Sequence, residues 1–267
     1  MGTGCGGVMR DLKIALIQAD LVWQDAMANT QRFGEKIAQL PADVQLIVLP
    51  EMFPTGFSMD PAHLAQQMTG PTVKWMQTMS KETQADIAGS LIITDNGNYY
   101  NRLVWTQPDD TIVYYDKKHL FRYAGEDKAY TPGDSLLLVN CHGWRVRPFI
   151  CYDLRFPMWT RNLNNAYDAA LFVANWPEQR SSHWRALLKA RAVENQCYVA
   201  GVNRVGVDGT GSAYQGDSCI IDPKGRIIAA QSHAEGSILG FFSASALWDY
   251  RKEFPAWMDA DSEQVAE

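Results

Sequence analysis

Residues 87–106 read IAGSLIITDNGNYYNRLVWT, and this stretch decides the fold class. Two strand-like runs, LIIT and YYNRLVWT, flank Asp95-Asn96-Gly97-Asn98, and Asn-Gly supplies the left-handed backbone that a tight hairpin requires. The neighbouring segments follow another rhythm. Residues 12–19 (LKIALIQA) read as a buried strand, residues 25–40 as a helix with Phe33, Ile37 and Leu40 at helical spacing, and residues 45–49 (QLIVL) as a second, wholly apolar strand. Pro71 opens another helix with Val73, Met76 and Met79 on one face, which leads back into the run at 87–94.

Downstream, residues 111–115 (TIVYY) form a strand, and the polar segment DKKHLFRYAGEDKAYTPG, residues 116–133, is expected to be a loop. Strands at 136–139 and 144–150 flank a turn at His142-Gly143, with Cys151 directly after them. A strand at 168–174, a helix at 182–195 and a strand at 198–202 repeat the strand-helix-strand rhythm, and short strands at 219–222, 226–230 and 237–242 close the chain. The sum is about a dozen strands with four or five helices, and so many hairpins exclude purely parallel winding. The expectation is an α/β fold of two mixed sheets packed face to face with helices outside. A single domain over residues 11–267 is predicted, preceded by a disordered Gly-rich segment at 1–10. Residues 252–267 read as a tail whose Phe254, Pro255 and Trp257 call for a partner surface, such as a second subunit.

Composition narrows function. The 267 residues are 46% hydrophobic and 20% charged, with 9 Trp, 11 Tyr and 10 Phe, which is too apolar for a disordered chain. A net charge of −6 offers no global attraction to nucleic acid or an acidic membrane, so an anionic substrate needs a local basic group. The five cysteines (Cys5, Cys141, Cys151, Cys197, Cys219) are odd in number and lack CxxC spacing, which favours free thiols. With no run of eighteen apolar residues and no signal-like start, the expected location is the cytoplasm. Residues 2–7 (GTGCGG) match a dinucleotide fingerprint formally, but precede the first strand instead of following it. The five histidines are scattered with no HExxH pair, so no metal site is expected.

Three ionisable residues stand at strand ends. Glu51 follows LIVLP, Lys117 lies one residue beyond Tyr115-Asp116, and Cys151 follows WRVRPFI. In α/β folds such ends converge on one pocket. The three types are complementary: a thiol mostly protonated at neutral pH, a carboxylate to take its proton, and an ammonium to stabilise thiolate and oxyanion. Each alone has an ordinary reading, Glu51 as a solvated carboxylate, Lys117 and Lys118 as a basic loop, and Cys151 as a small core residue. Cys197 and Cys219 lie within apolar strands and read as packing, while nothing near Cys5 or Cys141 would activate them.

The segments LPEMFPTGF, YDKKHLF and CYDLRFP, in this order, resemble the Glu-Lys-Cys motifs of the nitrilase superfamily of carbon-nitrogen hydrolases. The resemblance runs from Leu12 to about Trp257. CYDLRFP, VANWP (173–177), HWRALLKARAVENQCYVAGVNRVG (183–206) and YRKEFPAW (250–257) are similar to the bacterial ω-amidase branch. The resemblance implies a four-layer α-β-β-α sandwich that pairs into homodimers or larger assemblies. It implies Glu51 as general base, Cys151 as nucleophile, and Lys117 in preference to Lys118 as oxyanion stabiliser with the backbone N–H of Tyr152. Glu126, seven residues before Gly133, matches a second, assisting glutamate. Asp116 departs from the family pattern, which commonly has Arg before the lysine; this bears on substrate or subgroup.

The implied reaction, without cofactor, hydrolyses the terminal amide of short dicarboxylate monoamides such as 2-oxoglutaramate or 2-oxosuccinamate through a Cys thioester. Arg155 is a candidate for the substrate carboxylate or, alternatively, for a salt bridge with Asp153 or a nearby acid. Trp176 and Phe121 are candidates for the pocket wall. Competing readings are a nitrilase, aliphatic amidase or N-carbamoyl amidohydrolase using the same residues, and a catalytically silent binding scaffold.

Overall fold

The structure, a computed structural model, describes residues 10–261. The expected loose segment at 1–10, with Cys5, lies outside these residues except for Arg10, whose carbonyl accepts the Trp144 indole N–H at 2.8 Å.

The first half of the chain builds one sheet and its helical cover. β1 (Leu12–Gln18) leads to α1 (Ala26–Ile37), which starts where the Asp25 carboxylate accepts the Ala28 N–H. β2 (Leu46–Val48), a short α2 (Pro61–Leu64) and α3 (Pro71–Thr83) follow, then the hairpin of β3 (Asp86–Asp95) and β4 (Asn98–Thr106), and β5 (Ile112–Asp116). Asn96 and Gly97 form the expected turn, at φ +49° and +78°, with Asp95 paired to Asn98.

After α4 (Glu126–Ala129), the second half adds β6 (Val139–Cys141), β7 (Trp144–Ile150), α5 (Pro157–Thr160) and β8 (Ala169–Ala174). Then come α6 (Ser181–Asn195), β9 (Tyr198–Asn203), β10 (Val205–Val207), β11 (Ala213–Ile221), β12 (Ile227–Ser232), β13 (Gly236–Phe242) and α7 (Ala244–Glu253).

The first sheet has the order β13-β1-β2-β3-β4-β5, and the second β10-β11-β9-β8-β7-β6 with β12 on β11. Each has a parallel trio at its centre, β1-β2-β3 and β7-β8-β9, with antiparallel strands on both sides. Both sheets are therefore mixed. Period-two alternation sends Ile14 and Leu16 inward with Leu46, Val48, Phe149 and Val173, and sends Ala15 and Ile17 outward against Phe33 and Ile37 of α1 and Val73 and Met76 of α3. On the far side α6 lays Trp184 and Leu188 over β9, where Gly201 leaves room; a Cβ there would stand 2.6 Å from Leu188 Cδ1. The result is the four-layer α-β-β-α sandwich.

Three expectations need correction. The segment 116–133 is not all loop: it holds a 3₁₀ turn (Arg122–Ala124) and α4, separated by Gly125 at φ +77°. Pieces of three or four residues are too short to show a period. The tail expected from residue 252 begins inside α7, whose buried face contains Arg251 as well as Leu247, so hydrophobic spacing alone misses it. The strand expected at 136–139 starts only at Val139. No helix among the described residues is long and apolar enough to cross a membrane.

Candidate active site

β2 and β7 both end at the site, and β5, two antiparallel steps from β3, runs in the same direction as β2. The carboxyl ends of these strands deliver Glu51, Lys117 and Cys151. The turn after β2 is tied to β3: Met52 N–H donates to Ser90 Oγ at 2.8 Å and Phe53 N–H to Ser90 O at 3.1 Å. Lys117 N–H donates to Asn101 O at 3.0 Å, which continues the β4–β5 ladder. Cys151 takes φ +44° at the break between β7 and a 3₁₀ turn (Cys151–Arg155), a left-handed conformation that is strained for a residue with a side chain.

All three side chains are buried and meet. Lys117 Nζ lies 2.8 Å from Glu51 Oε1 and 2.9 and 3.0 Å from the two Glu126 oxygens. Asn101 Nδ2 donates to Glu51 Oε1 at 2.8 Å and Glu126 Oε1 at 3.1 Å, while its own oxygen accepts from Ser90 Oγ. Glu51 Oε2 accepts the Asn175 N–H at 2.8 Å, and the Cys151 thiol faces this carboxylate with Asn175 O 3.9 Å from Sγ. Glu126 is also held by Phe121 N–H.

These surroundings set the charges. Burial alone would neutralise Lys117, but the carboxylates of Glu126 and Glu51 outweigh it and hold the ammonium well above its usual range. Burial, reinforced by the Glu51 charge, pushes the Cys151 thiol well up despite Lys117. Burial also raises Glu126, against the pull of Lys117. These directions favour a neutral thiol beside a charged ammonium in the resting site.

Asp153 fixes the spacing of the two strand ends. Its carboxylate accepts the Ile150 N–H just before Cys151, the Tyr115 hydroxyl at 2.7 Å just before Lys117, and the His119 N–H at 2.9 Å just after it. A cavity of about 260 Å³ opens on Cys151 and Lys117. Phe121, Tyr152, Arg155 and Trp176 line it, and so do Arg180 and Tyr214.

A family model described as carbon-nitrogen hydrolase matches residues 13–240. The chain belongs to the carbon-nitrogen hydrolase family. Over 95% of its length it is 49% identical to the omega-amidase YafV of Escherichia coli K12, 98% of which is covered. It is 30% identical over 92% of its length to a 2-oxoglutaramate amidase of Bacillus subtilis, 96% of which is covered. Among solved structures it resembles XC1258 from Xanthomonas campestris, a CN-hydrolase superfamily protein with an arsenic adduct in its active site. That match has a TM-score of 0.94 and 42% identity, and covers 97% of this chain and all of the other.

In this carbon-nitrogen hydrolase the placements of the expected residues differ in kind. Glu51, Lys117, Cys151 and Glu126 are brought together, and Glu51 is not the solvated carboxylate it would be by itself. Lys118 points elsewhere, its ammonium over the Trp159 ring at 5.3 Å. Asp116 turns away from the site to form a two-point pair with Arg102, at 2.7 and 2.9 Å. Arg155 does not bridge to Asp153; it donates to His183 Nδ1 at 3.1 Å and lies 4.7 Å from the Trp176 ring centre.

Sequence reasoning missed Asn101, Asn175 and Arg180, and gave Asp153 only a salt-bridge role. A neutral amide, inside a strand as Asn101 is or just past one as Asn175 is, carries no signal of its own, although Asn175 sits within the quoted VANWP segment. Among the described residues, metal-binding atoms gather in one group, Asp86, Cys141 and His142, within 4.8 Å of one another. It lies at the opposite strand ends, with Asp86 accepting from Trp105 and Gln107.

Proposed function

We propose that the protein is an ω-amidase that hydrolyses the terminal amide of short dicarboxylate monoamides, 2-oxoglutaramate and 2-oxosuccinamate foremost, to the acid and ammonia. The observation that carries this reading is one ammonium held between two buried carboxylates beside a buried thiol at a cavity. It is supported by identity to an omega-amidase and a 2-oxoglutaramate amidase over nearly the whole chain.

Glu51, whose carboxylate the thiol faces, accepts the Cys151 proton as the sulfur attacks the amide carbon. Of the three Lys117 N–H donors, one goes to Glu51 and one is shared by the two Glu126 oxygens. The third is free for the oxyanion. The Tyr152 N–H, at the start of a helical turn where no intrahelical acceptor exists, is the second donor. Each is worth roughly 3–4 kcal/mol in the transition state. Glu51 returns its proton to the leaving nitrogen, ammonia departs, and a thioester remains on Cys151. Water then gives a proton to Glu51, with Glu126 orienting the Lys117 ammonium, and its oxygen displaces the sulfur, which recovers the proton. Arg155 supplies a cation for the substrate carboxylate, and Trp176 and Phe121 supply walls. The enzyme works as a homodimer or larger homo-oligomer in the cytoplasm, a reading that the free thiols and the exposed Trp248 and Phe254 support.

Ammonia release measured with 2-oxoglutaramate, 2-oxosuccinamate, an aliphatic nitrile and an N-carbamoyl amino acid tests the substrate class. Turnover of the last two alone sinks the reading in favour of a related hydrolase, and no turnover with any of them points to a scaffold. Intact-mass detection of an acyl group on Cys151 with the oxo-amide tests the nucleophile in the same experiment.

A further inference from the structure

Two guanidinium groups share the cavity that contains Cys151, those of Arg155 and Arg180. Both are half-buried, and among the described residues neither meets a carboxylate. Arg155 contacts His183 Nδ1 and the Trp176 ring, and Arg180 lies 5.4 and 5.9 Å from the ring centres of Phe121 and Tyr123. The acidic residue on the same wall, Asp208, is already committed. Its Oδ1 accepts from Thr210 N–H, Thr210 Oγ and Ser212 N–H, and its Oδ2 accepts the Tyr214 hydroxyl at 2.7 Å. In a chain of net charge −6, two cations at one cavity that make no salt bridge among the described residues mark a place for an anion from outside. A guanidinium stacked on an aromatic face keeps its in-plane N–H edge free, the edge that matches a carboxylate.

The segment 174–180 connects this pair to the reacting groups. Asn175 N–H holds Glu51 Oε2, and the next N–H, that of Trp176, is held by Asn203 Oδ1 at 2.8 Å. The Trp176 indole N–H then donates to Arg180 O at 2.7 Å, and its ring supports Arg155. A single side chain thus anchors the backbone of Arg180 and supports the guanidinium of Arg155, one residue beyond the amide that holds the base.

We propose that Arg180 completes, with Arg155, a two-guanidinium subsite for the far carboxylate of the substrate. Arg180 is the specificity-determining residue, and Trp176 is a positioning residue. The inference rests on the ω-amidase reading and names the contact that selects carboxylate-bearing amides over neutral ones.

The test is steady-state kinetics of the full chain and its Arg180→Met and Arg180→Lys variants, with 2-oxoglutaramate, with butyramide as a neutral amide, and with glutarate as a competitive inhibitor. Methionine keeps the length and apolar stem and removes the charge. The expected result for Arg180→Met is a KM for 2-oxoglutaramate raised roughly 10- to 100-fold, with kcat changed less than about threefold. Glutarate inhibition weakens by a similar factor, butyramide kcat/KM is unchanged, and Arg180→Lys falls between. An equal loss on both amides, or glutarate inhibition unchanged by Arg180→Met, overturns the subsite and leaves the ω-amidase reading standing. A wild-type enzyme that hydrolyses butyramide but not 2-oxoglutaramate overturns both.

Discussion

Lys117 and Lys118 are neighbours in sequence with unlike surroundings, one sealed between Glu51 and Glu126, the other over the Trp159 ring. Replacing the first by Met removes an oxyanion donor and leaves two buried carboxylates facing each other, so amide hydrolysis by Lys117→Met is expected to fall on the order of 10³-fold or more. Lys118→Met should stay within about threefold of wild type, since it touches neither carboxylate. Comparable losses in the two variants, measured as kcat/KM for 2-oxoglutaramate, would refute the assignment. Asn101 gives a subtler case. Asn101→Leu keeps the volume but takes one donor from each glutamate, so kcat is expected to drop roughly 10- to 100-fold with KM nearly constant. A change confined to KM would mean that Asn101 acts on binding. At this scale Glu51, Lys117 and Cys151 were legible because their types do chemistry. Asn101 was not, because an amide in a strand is ordinary until its neighbours are known.

Elements were legible where local rules are strong. At Asn96-Gly97 the backbone itself demands positive φ, and the space around Gly97 is open, so Gly97→Ala isolates the conformational cost. A loss of about 1 kcal/mol is expected, seen as a lower urea midpoint with unchanged m and unchanged kcat. No change in midpoint would show that the hairpin tolerates another turn. The apolar runs of the parallel trios were equally readable, since strands buried on both faces cannot alternate. Where several short turns share a segment, as at 116–133, neither period nor punctuation is long enough to register. α7 escaped for a different reason. Its inward face carries Arg251, which is neutralised by Asp168 at 2.8 Å from another element, and pattern reading counts such a residue as polar.

Across the whole molecule, the four described thiols are all buried, and burial holds each above its ordinary range, Cys197 and Cys219 up to about 12. The unfolded chain releases these protons near pH 8.5. Below that pH both states keep them and this contribution is whole; from there towards 12 only the unfolded state ionises, so stability falls as pH rises. Each thiol adds about 1.4 kcal/mol per pH unit to that slope. Urea midpoints at pH 7, 9 and 10 should decline steadily, and Cys219→Ala should flatten the decline while lowering the pH 7 value. An unaltered slope in that variant would mean the thiol titrates freely in the native protein. By itself the sequence determined the mixed-sheet class, the hairpins, the net negative charge, and the three strand-end residues, because turn chemistry, period and residue type act over a few positions. Only the tertiary structure decided which lysine is enclosed, that Asp116 turns away, that Asp153 ties two strand ends together, and that Arg155 and Arg180 share one cavity. Those facts depend on side chains from separate elements meeting in space, Lys117 with Glu51 and Tyr115 with Asp153 among them, and no local pattern records a distance of that kind.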